Sequence, residues 1–273
     1  MDHVDSQFSK LRYVPSELEH RYGKNVHILS DPYCLTLLAR LCAPETMQPK
    51  AGRFVRQLYE YLLHAVVNAE FPCREITMAT RMKAVEPRAL WTGPVVDSSV
   101  PVAVLALARA GLQPSQICFE ALSELMDPGV VRQDHVAAQR STGESGQVTG
   151  TVIAAAKIGG SVQDAIVVVP DPMGATGSTI LALLEHFRCH DLGTPRKMLL
   201  LHLMVTPEYL RRFASLEPWL SVYSLRLDRG LSAPEVLRAV PGARWDEERG
   251  LTDKGYIVPG AGGVGELLNN SWV

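Results

Sequence analysis

The stretch AIVVVPDPMGATGSTILALL, residues 165–184, constrains this chain more than any other. Its β-branched opening at 165–169 reads as a buried strand, and residues 178–190 read as a helix. Between them stand an acid, Asp171, and the small-residue turn Gly174-Ala175-Thr176-Gly177-Ser178-Thr179. In a parallel α/β sheet, ligands sit outside the carboxyl ends of the strands, which is where Asp171 falls. Small residues let a backbone wrap closely round an anion, and the free N–H groups and dipole at a helix start favour phosphate. The hydroxyls of Thr176, Ser178 and Thr179 add donors. No Lys follows the last glycine, so this is not a nucleoside triphosphate loop, and a phosphate monoester is expected. Asp171 is then placed for sugar hydroxyls. The plainer alternative, an Asp-Pro turn followed by a helix cap, accounts for the residues singly but not for their order.

The rest of the chain fits such a sheet. Strands are expected at 100–108, 130–138, 198–205 and 221–227, with helices at 114–126 and 207–216. Alternation of apolar strands with helices predicts a mostly parallel sheet covered on both faces. Two helices precede it. Asp31-Pro32 suits a helix start, with Leu35, Leu38, Ala39 and Cys42 recurring behind it. Residues 50–70 carry an apolar face of Phe54, Leu58, Leu62, Ala65, Val66 and Ala69. Residues 1–25 read as an N-terminal arm, packed on the body, packed on a second subunit, or disordered; 26–273 read as one domain. Residues 230–249 read as an insertion with a short helical pattern at 234–240.

Charge and composition exclude other classes. Across 273 residues, Lys and Arg number 27 against 29 Asp and Glu, too balanced for binding nucleic acid by bulk charge. The four tryptophans form no stacking motif for single strands. Apolar runs are too short to span a bilayer, and the first residues lack the apolar core of a secretory signal. Five widely spaced cysteines without a Cys-x-x-Cys pair fit packed thiols in a reducing, cytoplasmic compartment. The Gly260–Gly265 run satisfies Gly-x-Gly-x-x-Gly, but too few residues follow for a dinucleotide fold. His186 and His190 lie one helical turn apart with no third metal ligand in view, and Arg211 and Arg212 read as surface charges.

The phosphate turn, with its Asp-Pro-Met opening, resembles the loop that binds 5-phosphoribosyl-1-diphosphate (PRPP) in type I phosphoribosyltransferases, and the uracil phosphoribosyltransferase branch in particular. Three further stretches are similar to that branch: 106–112, ALARAGL; 135–140, HVAAQR, with Lys157 beyond it; and 255–260, GYIVPG. The resemblance implies a single α/β domain with a mostly parallel sheet flanked by helices, a hood and N-terminal helices. It implies that Asp171, Gly174, Ala175, Thr176, Gly177, Ser178 and Thr179 bind the ribose 5′-phosphate end of PRPP. Pyrophosphate would meet Arg109, Ala110, Gly111, Arg140 and Lys157, with Asp171, Arg109, Arg140 and Lys157 as the catalytic set. Tyr256, Ile257, Val258, Pro259, Gly260, Ala261, Gly262 and Gly263 would face the base through their main chain. Mg²⁺ would be held mainly through PRPP, no protein metal site is expected, and a homodimer is implied. The implied reaction joins a uracil-like base to the 5-phosphoribosyl group and releases pyrophosphate.

The chain departs from the branch in three places. After GYIVPG the branch carries Leu-Gly-Asp-x-Gly-Asp-Arg; here Gly263 replaces the first aspartate, Glu266 the second and Leu267 the arginine. Ser178 replaces a glycine of the phosphate loop. The segments 140–157 and 230–249 are longer than the branch pattern. Two alternatives therefore stand beside uracil: a modified heterocycle, or a PRPP or nucleotide sensor without turnover.

Overall fold

The structure is a computed structural model and describes residues 10, 12–142, 148–213 and 217–271; the side chains of residues 140–142, 148 and 149 lie outside the described set. In chain order the elements are β1 (Val26–Ile28), α1 (Pro32–Leu41), α2 (Lys50–Glu70), β2 (Cys73–Ala79), β3 (Leu90–Val96), β4 (Val102–Ala108), α3 (Leu112–Leu125), β5 (Val131–Thr142), β6 (Val148–Lys157), β7 (Ile166–Pro170), β8 (Met173–Gly174), α4 (Ser178–Cys189), β9 (Lys197–His202), β10 (Met204–Val205), α5 (Pro207–Phe213), β11 (Leu220–Ser224), α6 (Pro234–Leu237) and α7 (Val264–Asn269).

Seven strands form the central sheet in the order β1-β11-β9-β7-β4-β5-β6. All neighbours run parallel except β5 and β6, which pair antiparallel as the hood. The period of two along each strand divides the core in two. Val102, Val104, Ile166, Val168, Leu199 and Leu201 pack towards α1, α2 and α3. Ala103, Leu105, Val167, Val169, Met198 and Leu200 pack towards α4 and α5. Both faces are covered, which is why these strands read as unbroken apolar runs rather than alternating ones.

Local chemistry sets the helix boundaries. Asp31 accepts a hydrogen bond from the Cys34 amide at 2.9 Å and caps α1, with Pro32 in the first turn. The buried stripe of α1 is Cys34, Leu37, Leu38 and Leu41, one residue earlier than the pattern suggested. Both stripes have helical spacing; the observed one buries Leu37 and Leu41 in place of Ala39 and Cys42. Helix α2 has the bounds its periodicity predicts, and Ala69 alone of the expected face is exposed.

Other expectations need correction. The run 198–205 is two strands: β9 ends at His202, and β10 pairs with β8 in a separate two-stranded sheet. The run 221–227 ends as a strand at Ser224. The hood is mostly strand β6, and the hairpin β2–β3 falls outside the expected strands: β2 has no buried residue and β3 buries only Gly93. The reading of every cysteine as a packed thiol fails at Cys73 and Cys189, which are exposed; all five are unbridged. Residues 214–216 of the expected helix 207–216 lie outside the described residues. Among the described residues no helix is long and apolar enough to cross a membrane.

Residues 230–249 are anchored rather than loose. Glu248 is fully buried and accepts from Arg229 at 2.9 Å, from the Gly242 amide at 2.8 Å and from the Tyr22 hydroxyl. Tyr22 comes from the segment preceding β1, so one carboxylate joins three parts of the chain. A buried pair broken on one side leaves an uncompensated charge. Glu248→Ala is therefore expected to cost about 3 kcal/mol of stability in urea unfolding; a change within about 0.5 kcal/mol would show that the pair does not hold this segment.

Candidate functional site

Strand β7 is entirely buried and delivers Asp171 to the carboxyl edge of the sheet. The chain then makes the short pairing β8–β10, which places Gly174 opposite Val205. A Cβ on Gly174 would lie 2.7 Å from the Val205 side chain, so glycine is required there by packing. Gly177 has φ +77, and a Cβ on it would lie 2.7 Å from the Phe213 ring. It turns the chain into α4 in a conformation that favours glycine. Thr206 pins the turn from behind: its amide donates to the Gly174 carbonyl at 3.1 Å and its hydroxyl to the Ala175 carbonyl at 2.8 Å.

Four amides remain free at this turn. Among the described residues, the N–H groups of Thr176, Gly177, Thr179 and Ile180 donate to no backbone acceptor. That of Ser178 is taken by the Thr176 hydroxyl at 3.3 Å. Unpaired amides at a helix start, aligned with its dipole, are an anion cradle.

Beside them lies a cavity of about 360 Å³, lined by Arg109, Ala110, Asp171, Ala175, Thr176 and Thr179 together with Gln139, Thr151 and Gly255 among others. The Asp171 carboxyl accepts from the Met173 amide, yet burial outweighs that bond and pushes its pKa up to about 6. Its carbonyl accepts from Nδ1 of His202, whose Nε2 takes the Tyr209 hydroxyl at 2.6 Å. Burial pushes His202 down to about 4, so the imidazole is neutral and acts as a fixed support for the Asp171 backbone.

The residues expected at pyrophosphate are spread more widely. Arg109, at the end of β4, meets Glu266 at 3.4 Å and the Ser271 hydroxyl at 3.3 Å. Gly111 serves packing: a Cβ there would sit 2.7 Å from the Leu107 carbonyl and 2.8 Å from that of Pro170. The Arg140 backbone pairs with Thr151 in the hood, and its side chain lies outside the described residues. Lys157 is exposed, pairs with His135 lower on the sheet edge, and does not line the cavity.

The segment at 255–263 adjoins the cavity through Gly255, and part of its main chain is already engaged. The Val258 amide donates to Gly250 at 2.8 Å and its carbonyl accepts from Gly230 at 3.0 Å. The Gly260 amide donates to Asp228 at 2.8 Å and its carbonyl accepts from Arg226 at 3.3 Å. Pro259 has no amide. Among the described residues, the main-chain donors of this segment left without a partner are those of Ile257, Ala261, Gly262 and Gly263. Asp228 is buried and ion-paired with Arg226, so together they clamp the turn at Gly260. Sequence reasoning missed this pair, His202 and the polar lining residues Gln139 and Thr151. The signal for the pair was an Arg-x-Asp spacing just beyond β11, which puts both side chains on one side of an extended chain. Tyr256 is exposed and Ile257 buried.

Among the described residues no three His, Cys, Asp or Glu side chains are grouped to hold a metal. Asp171 is the one carboxylate among the described residues that line the cavity. That donor set suits a hard cation carried chiefly by ligand oxygens and water.

A parallel sheet with a phosphate-type turn after its central strand and an antiparallel hood at its edge defines a phosphoribosyltransferase-like α/β domain. A family model described as uracil phosphoribosyltransferase matches residues 28–244, so the chain belongs to the uracil phosphoribosyltransferase family. The uracil phosphoribosyltransferase of Thermococcus sibiricus is 23% identical over 248 residues, 91% of this chain and 90% of that one. The protein of the same description from Pyrococcus furiosus is 24% identical with the same coverage. A solved protein of Aquifex aeolicus superposes with a TM-score of 0.66 at 20% identity, over 89% of this chain and 97% of that chain, a likeness of fold. The segment 255–263 lies beyond the family match.

Gly111→Ala should force α3 away from the strand ends and lower stability by about 1–3 kcal/mol, read from chemical denaturation. An unchanged midpoint would mean that close backbone packing at residue 111 is not needed.

Proposed function

We propose that the protein moves the 5-phosphoribosyl group from PRPP to a ring nitrogen of a uracil-like base, giving a nucleoside 5′-monophosphate and pyrophosphate. The observation that carries this is the set of free amides from Thr176 to Ile180 beside Asp171 in one cavity. The bond from the anomeric carbon to pyrophosphate breaks, and its electron pair leaves with the pyrophosphate. The base nitrogen supplies the pair for the new bond and gives its proton to solvent. Positioning and charge do the work. The amides and the hydroxyls of Thr176, Ser178 and Thr179 hold the 5′-phosphate. Ionised Asp171 accepts from the ribose hydroxyls and favours the positive charge that grows on the sugar. Arg109 meets the leaving pyrophosphate, which competes with Glu266 for its guanidinium. Arg140 belongs to the same set from the hood, whereas the register of β6 holds Lys157 below the cavity, outside that set. Bound Mg²⁺ would neutralise pyrophosphate charge, with Asp171 the protein group nearest to hand. The main chain at Ile257 and Ala261–Gly263 orients the base.

A second reading keeps this chemistry and changes the base. Gly263 brings no side chain, and the Glu266 carboxylate fills its place: a Cβ on Gly263 would lie 2.3 Å from Oε2. An acid is thus presented from α7 rather than from the loop, which would suit a modified heterocycle. A homodimer and a cytoplasmic location belong to the same proposal. The hairpin β2–β3 and the turn it carries expose Met78, Met82, Val85, Leu90 and Trp91, a surface that a second copy would cover, and the cysteines are unbridged.

Pyrophosphate release from PRPP across a panel of bases tests the reaction. Release with uracil or a related heterocycle supports it; PRPP binding with no release for any base would indicate a sensor. Asp171→Asn should lower kcat by about 100-fold while changing the Kd of ribose 5-phosphate far less; an unchanged kcat would remove Asp171 from the mechanism. Since Asp171 titrates at about 6, wild-type kcat/KM should climb as pH rises to that value, where the carboxylate forms, and level off above it. A profile flat through this range would contradict the assignment.

A further inference from the structure

The phosphate turn has a cationic neighbour that the chemistry above leaves unused. Arg212, near the end of α5, donates from Nη1 to the Ser178 hydroxyl at 3.3 Å. Ser178 in turn accepts from the Thr176 hydroxyl at 3.2 Å. Thr176 lines the cavity, so Arg212 stands at the far end of a short chain of hydroxyls that begins in the site. Helix α5 seats on Gly177, where a Cβ would lie 2.7 Å from the Phe213 ring, and the Arg212 Cδ stands there at contact distance, 3.4 Å.

The two arginines of α5 differ. Arg211 donates to the Trp245 carbonyl. Arg212 turns to the phosphate loop and, among the described residues, makes no ion pair. Arg109, Arg226 and Arg229, in the same half of the protein, each face a carboxylate. A guanidinium has five N–H donors in a fixed fork that matches phosphate geometry. One is used on Ser178, which leaves the remainder for an oxyanion in the cradle.

We propose that Arg212, oriented by Ser178, is a direct ligand of the ribose 5′-phosphate and makes this subsite selective for the dianionic monoester. This rests on the reading of the Thr176–Ile180 amides as the 5′-phosphate site. Ser178 occupies the position at which the similar loops carry glycine, and its hydroxyl is the anchor that directs the guanidinium. A purely structural arginine at a helix end would contribute to α5 stability through the dipole and leave ligand affinity alone.

Titration calorimetry with ribose 5-phosphate at low and high salt separates these cases. Arg212→Gln should weaken binding roughly tenfold at low salt and flatten its salt dependence, with an unchanged melting temperature. Arg212→Lys should retain most of the affinity, and Ser178→Gly should fall between wild type and Arg212→Gln. Equal affinity and equal salt dependence for wild type and Arg212→Gln would overturn the role of Arg212 while leaving the amide cradle intact. Weakening with no change in salt dependence would overturn it as well. If wild type fails to bind ribose 5-phosphate, the phosphate-site reading falls, and this proposal with it.

Discussion

Everything at the site depends on the unpaired amides where α4 begins. A helix start always leaves such groups, and they must be met by a cap, by water or by a ligand. Here the usual side-chain cap is missing, because the cap position is Gly177 in a left-handed conformation. Only the Ser178 amide is met, by Thr176. Two glycines make this arrangement possible: Gly174 allows the β8–β10 contact and Gly177 allows the contact with Phe213. The neighbouring core therefore shapes the cradle, and the turn is held open at its front because it is packed tight behind.

Electrostatics divide the surroundings into supports and working groups. His202 and Tyr209 hold the Asp171 backbone without carrying charge, since burial keeps the imidazole neutral. Arg226 and Asp228 neutralise one another and each also bonds the main chain of Gly260. Arg109 and Asp171 are different. Arg109 is partly exposed on a weak ion pair, and burial lifts Asp171 to about 6, above the usual carboxylate range. Groups held at such an edge respond to a charged substrate, whereas fully paired ones do not.

The sheet and the phosphate turn were legible because each signal was local. β7, Asp171, the small-residue turn and α4 are contiguous, and the period of two or of about 3.6 residues could be read directly. The phase of α1 was not legible, because two stripes with identical spacing compete and only the neighbouring helix decides between them. The split of 198–205 was hidden by its continuous apolar character. The hairpin β2–β3 was hidden for the opposite reason, as no side chain of it is fully buried. At the site, Asp171, Ala175, Thr176 and Thr179 were found from one contiguous motif and Arg109 and Ala110 through resemblance, while Gln139 and Thr151, which reach the cavity from the hood strands, were not. His202 supports Asp171 across 31 residues, which no local pattern reveals, while the Arg226–Asp228 pair left only its Arg-x-Asp spacing as a signal. Lys157 was assigned from resemblance, and the register of β6 places it below the cavity.

The most direct test is a crystal structure of the protein soaked with ribose 5-phosphate. The account requires the phosphoryl oxygens to lie within hydrogen-bonding distance of the amides between Thr176 and Ile180, with a ribose hydroxyl on Asp171. Phosphate density elsewhere on the sheet edge, with these amides turned to other acceptors, would contradict it.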